Sequence, residues 1–163
     1  MRRIDINVEV TEYDSLSELP PHEQQLLEQA HAAAKQAYAP YSNFHVGAAL
    51  LLENGVTISG NNQENMAYPS GLCAERVAVF AASAQYPGVP VTTIAVVCTS
   101  TEFTVDKPGS PCGACRQVLA EYEMRAGKEM RLLMMGEKGK IQAVGGIRHL
   151  LPLVFRVDEL KRQ

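Results

Sequence analysis

The sequence predicts an α/β fold, a three-layer α/β/α sandwich around a central mixed sheet. Three observations point there. Apolar stripes of helical period alternate with short β-branched runs, Asn54-Gly55 sits between two such runs as a hairpin turn, and the later segments follow the order strand, helix, strand. The hairpin supplies antiparallel pairing and the crossovers supply parallel pairing, so the sheet is mixed, with helices on both faces.

Each element has its own signal. Ile4, Ile6, Val8 and Val10 recur at period two, the mark either of a short half-buried strand at a sheet edge or subunit contact, or of an unpaired tail. After Pro20 and Pro21, the residues Leu26, Leu27, Ala30, Ala34, Ala37 and Tyr38 hold a helical stripe until Pro40 stops it. Strands are expected at 44–52 and 56–60 around the turn. An Ala-rich helix is expected at 74–85, a β-branched strand at 92–99, a helix at 114–124, a strand at 131–135 and a further short one at 141–144.

Composition excludes several function classes. At 163 residues the chain suits one domain, and its 15 Lys and Arg against 18 Asp and Glu leave no basic surplus for a long nucleic acid. The longest apolar run, 46–52, falls far short of the roughly twenty residues of a membrane helix. Arg2 and Arg3 precede an alternating segment rather than the apolar core of a signal peptide. Four cysteines are too few for a disulfide scaffold, and Cys112-x-x-Cys115 has metal or redox spacing, so a reducing, cytoplasmic setting is expected.

The chemistry concentrates in Cys73-Ala74-Glu75-Arg76 and Pro111-Cys112-Gly113-Ala114-Cys115-Arg116. Each group opens a predicted helix, whose free N–H groups and partial positive charge stabilise thiolates. Zinc normally takes four ligands, and three cysteines leave the fourth position for water, the pattern of a catalytic site. Cys98 lies within an apolar run and reads as a core residue. Glu75, two residues from Cys73, is placed to take a proton from water without ligating. Arg76 is either a surface arginine or a donor to a cysteine sulfur that offsets thiolate charge. His22, His31, His45 and His149 belong to no ligand-spaced pair and read as structural or exposed.

This arrangement resembles the zinc-dependent cytidine deaminases. Pro40-Tyr41-Ser42-x-Phe44-x-Val46-Gly47-Ala48-Ala49-Leu50, Asn62-x-Glu64-Asn65 and Ser110 to Leu119 resemble in particular the small homotetrameric enzymes that act on free nucleosides. The resemblance implies a cytidine deaminase-like fold with a single catalytic domain at 21–155, an N-terminal extension at 1–20 and a tail at 156–163. It implies hydrolytic deamination of cytidine and deoxycytidine for pyrimidine salvage, with one Zn²⁺ per subunit on Cys73, Cys112 and Cys115 and with Glu75 as proton shuttle.

In the substrate site, the resemblance assigns the ribose 3′-hydroxyl to Asn62 and Glu64, the wall of the base to Phe44, and the edge of the base to backbone groups at Ala74 and Ser110. Tyr68 and Phe155 would reach the sites of neighbouring subunits in a homotetramer. The negative charge of Glu64 would repel a 3′-phosphate, which argues against a polynucleotide substrate. Two other readings keep the scaffold: a deaminase of another small cytosine-containing or modified nucleoside, and a non-catalytic zinc-stabilised nucleoside-binding protein. A binding protein has no use for the acid at Glu75.

Overall fold

The structure, a computed structural model, describes residues 1–156. Of the expected tail at 156–163, only Arg156 is among them. Among the described residues nine strands and α-helices follow one another: β1 (Thr11–Tyr13), α1 (Pro21–Ala34), β2 (Phe44–Leu52), β3 (Thr57–Asn61), α2 (Ala74–Gln85), β4 (Val91–Ser100), α3 (Gly113–Ala126), β5 (Arg131–Met135) and β6 (Ile141–Gly145). Among the described residues six strands form one sheet in the order β1-β6-β5-β4-β2-β3. Only β4 and β5 run parallel, across the α3 crossover; the other pairs are antiparallel. The sheet is therefore mixed, as its hairpin and crossover predict.

Two apolar layers sandwich it. On one face Leu26, Leu27 and Ala30 of α1 pack on Ala49, Ala95, Val97, Leu133 and Ala143. On the other, Ala74, Ala78 and Val79 of α2 and Leu119 of α3 pack on Leu50, Ile94, Val96, Leu132 and Met134. Alternate residues of β2 and β4 thus feed opposite layers, the period-two logic of a sheet buried on both sides. The helices lie close. A Cβ on Gly47 would sit 1.9 Å from the Ala30 carbonyl oxygen, and one on Gly60 would sit 2.6 Å from the Ala78 nitrogen, so glycine is required on each face.

Two local departures from expectation have physical reasons. α1 ends at Ala34, short of Pro40, because Tyr38 turns its backbone to the β3 exit: its N–H donates to the Asn62 carbonyl at 3.1 Å and its carbonyl accepts from the Glu64 N–H at 2.8 Å. The hairpin closes between Leu52 and Val56 through three residues, with positive φ at Gly55 and not at Asn54, a wider turn than Asn-Gly alone suggests. Ile4, Ile6, Val8 and Val10 are exposed, and the edge strand is instead Thr11–Tyr13. Its partner β6 runs on to Gly145, two residues past the Thr11–Ala143 pair, before the chain turns through Gly146 at φ 130°, so only residues before Glu9 lie beyond its end.

One ion pair locks that edge to α1. Arg131 of β5 donates to both carboxylate oxygens of buried Glu23, at 2.6 and 3.3 Å, and to the Tyr13 hydroxyl at 3.0 Å.

Candidate active site

Cys73 is the N-cap of α2 and Cys112 the N-cap of α3, both in extended backbone. Cys115 lies buried one turn into α3. The two helices therefore begin side by side with their unpaired N–H groups and positive dipole ends directed at one place. The three Sγ atoms lie within 4.8 Å of one another, and those of Cys73 and Cys112 are 3.8 Å apart. Sulfurs at about 2.3 Å from a tetrahedral zinc stand roughly 3.8 Å apart, so the trio fits the ion. Cys98 takes no part. It belongs to the core layer under α2 and α3, and burial pushes its thiol up to about 12.

The thiols are unequal before any metal enters. Hydrogen bonds from Cys115, Arg76 and Cys112 pull Cys73 down to about 5 against the opposing effect of burial, and Cys115 correspondingly holds its proton. Arg76 Nη2 donates to Cys73 Sγ at 3.6 Å. Its Nε is buried without a hydrogen-bond partner, a spare donor on the guanidinium that faces the anionic cluster.

Glu75, on the first turn of α2, is only 4% exposed. Burial raises its carboxyl above the usual range, and the charge on Cys73 adds to the rise. A carboxylate so placed gives up its proton at higher pH than one in water.

Beyond the sulfurs runs a cavity of about 400 Å³, within the size range of small-ligand pockets. Its wall includes Cys73, Asn62, Glu64, Tyr41, Ser42 and Tyr68. Glu64 Oε2 accepts the N–H of Tyr41 at 2.8 Å and that of Ser42 at 3.3 Å, while Oε1 accepts the Ser42 hydroxyl at 2.5 Å. These bonds, the hydroxyl first, hold the carboxyl below its ordinary 4.5. Asn62 Oδ1 accepts the Val46 N–H at 2.7 Å and its Nδ2 donates to the Phe44 carbonyl at 2.9 Å, so the amide grips the first residues of β2.

The sequence-predicted residues are not all in this cavity. Of the metal trio only Cys73 lines it, and Phe44, Ala74, Glu75, Arg76, Ser110, Cys112, Cys115 and Phe155 do not. Phe44 packs on the α2 and α3 side of the sheet, where the sulfurs lie, and Ala74 is buried at the start of α2. Tyr68 lines the cavity and meets Tyr41 edge-on at 6.1 Å between ring centroids. The Phe155 carbonyl accepts from Gln117 Nε2 at 2.9 Å, and its ring is 73% exposed.

Residues 20–128 match the family model of the cytidine and deoxycytidylate deaminase zinc-binding region, a span that takes in all three sulfurs and Glu75. The chain belongs to this deaminase family. It is 41% identical over 137 residues to a cytidine deaminase of Sporosarcina psychrophila, covering 84% of this chain and 93% of that protein. A cytidine deaminase of Mycobacterium tuberculosis is 39% identical, with 82% of this chain and 90% of that one covered. Among solved structures, the cytidine deaminase of Burkholderia pseudomallei superposes with a TM-score of 0.71 at 39% identity, over 84% of this chain and all of that one.

In this deaminase scaffold two residues matter that the sequence did not single out. Ser42 ties Glu64 to the Phe44 N–H, which its oxygen accepts at 3.1 Å. Arg116 donates to the Pro111 carbonyl at 2.7 Å, the Leu150 carbonyl at 2.9 Å and the Ser110 hydroxyl at 2.9 Å, clamping the cysteine loop to the C-terminal segment. Its position directly after Cys115 was the one available signal.

Proposed function

We propose that this chain catalyses hydrolytic, zinc-dependent deamination of free cytidine and deoxycytidine, water and nucleoside giving uridine or deoxyuridine and ammonia. One observation carries the reading: the Glu64 carboxylate and the metal-ligand candidate Cys73 share the wall of one ligand-sized cavity. A hydroxyl acceptor at one place and a metal trio at another suit a small polar substrate with a reactive ring.

Zinc held by Cys73, Cys112 and Cys115 would supply a Lewis acid that makes a water nucleophilic near neutral pH. Glu75 carries two protons in turn, first from the attacking water to N3, then from the new C4 hydroxyl to the departing amine. Arg76 offsets the charge of the sulfurs. Glu64 accepts the ribose 3′-hydroxyl, Asn62 holds the strand that carries Phe44, and Phe44 walls the base. Backbone groups at Ala74 and Ser110 read O2 and the 4-amino group.

The same reading makes 21–155 the catalytic domain of a homotetramer working in pyrimidine salvage in the cytoplasm. The exposure of Tyr68 and Phe155, 77% and 73%, supports their reaching neighbouring sites, and the four free cysteines suit a reducing compartment. Among the described residues no helix is long and apolar enough to cross a membrane.

A substrate panel tests the function. Cytidine and deoxycytidine should release ammonia, while their 3′-phosphates and free cytosine react slowly or not at all. Zinc-loaded protein that releases ammonia from none of them would refute the activity.

A further inference from the structure

The ten residues before β1 take no part in the site, and the family match begins only at residue 20. They run without helix, turn or bend, and every one is exposed. Ile4, Ile6, Val8 and Val10 are 76, 51, 51 and 47% exposed. A row of β-branched side chains on an open strand is a template for pairing with another chain.

Two contacts set the phase of this arm. Arg3 Nε lies 3.1 Å from Asp5 Oδ1, two side chains sharing a face as residues i and i+2 of a strand do. The Glu9 N–H donates inward to His149 Nδ1 at 3.1 Å. Along an extended chain, successive N–H and C=O groups point to alternate sides, so those of Ile4, Ile6, Val8 and Val10 face away from the body.

We infer that residues 2–10 pair antiparallel with the same residues of a second copy of this chain, with Ile6 on the two-fold axis. The partner follows from self-complementarity. An outward edge built from even-numbered residues pairs even with even. With Ile6 opposite Ile6, Ile4 meets Val8, Arg3 meets Glu9 and Asp5 meets Asn7. Sliding one copy by two residues sets Asp5 against Asp5 in one direction and Asp5 against Glu9 in the other. Opposite charges and β-branched pairs stabilise facing strands and like charges destabilise them, so of these three registers the central one alone avoids facing like charges. A two-stranded ribbon is marginal alone, so the pair strengthens copies already brought close.

Thiol crosslinking of the full-length, zinc-loaded protein tests this, with the unsubstituted chain as background. Ile6→Cys sets two thiols facing across the axis, whereas Val10→Cys sets them roughly 27 Å apart, about eight residues at 3.4 Å each. After oxidation with diamide and alkylation of the remaining thiols, Ile6→Cys should give roughly tenfold more linked dimer than Val10→Cys. Adding Arg3→Glu to Ile6→Cys should lower the yield, and adding Glu9→Arg to both should restore it. Equal yields at positions 6 and 10, or no dimer at 6, overturn the pairing, and a charge swap that fails to restore overturns the register. Ammonia release from cytidine, followed on the same samples, reports on the catalytic reading separately.

Discussion

The Ser42 hydroxyl donates to Glu64 at 2.5 Å across the mouth of the cavity, and the same oxygen accepts the Phe44 N–H at 3.1 Å. One small side chain thus joins the proposed sugar-binding carboxylate to the proposed wall of the base. Because this bond holds Glu64 ionised below its ordinary 4.5, its loss returns the carboxyl upward. Ser42→Ala should raise KM for cytidine a few-fold at pH 7 and more steeply as the pH falls toward 5, with the acid limb of kcat/KM moved to higher pH. An unchanged limb would separate Ser42 from the state of Glu64.

Glu64 itself should act on binding through the sugar. Hydrogen bonds to a charged group contribute about 1.5–3 kcal/mol, so Glu64→Ala should raise KM for cytidine by roughly 10–100-fold. The loss should shrink for 3′-deoxycytidine, which lacks the hydroxyl. An equal loss with both substrates would show that Glu64 serves only the 41–42 turn.

Arg76 opposes the charge of the sulfurs at 3.6 Å from Cys73. Arg76→Gln should weaken zinc retention by about 10–100-fold in competition with a chelator, the usual scale for a residue that supports a metal ligand. Zinc affinity equal to that of the unsubstituted chain would make Arg76 a bystander.

Far from the site, Glu23 is 4% exposed and bridges Arg131 on β5 to α1. Glu23→Ala leaves that guanidinium without its carboxylate and should cost about 2–3 kcal/mol, somewhat less than a fully buried pair because the Arg131 side chain is 33% exposed. The unfolding midpoint should fall by roughly 5–10 °C with KM unchanged, and an unaltered midpoint would count against the lock.

Much of this was legible from local pattern. β2, α2 and β5 run over the stretches their periodicities mark, because in each the apolar spacing and the buried face agree. The metal trio was legible because cysteines at the starts of two helices leave a local trace. What escaped depends on distant partners. The end of α1 is set by Tyr38 bonding across to the β3 exit. Arg116 finds a carbonyl 34 residues away, and Ser42 looks like any turn serine until Glu64 folds over it.

If three sulfurs hold the metal while Glu75 moves the protons, turnover of cytidine by Glu75→Gln protein, with zinc content determined on the same sample, separates the two roles directly. Such protein should hold about one zinc per chain and release ammonia roughly 10²–10⁴-fold more slowly, the span of general acid–base catalysis. Zinc-replete Glu75→Gln protein with near-normal turnover would contradict the role of Glu75.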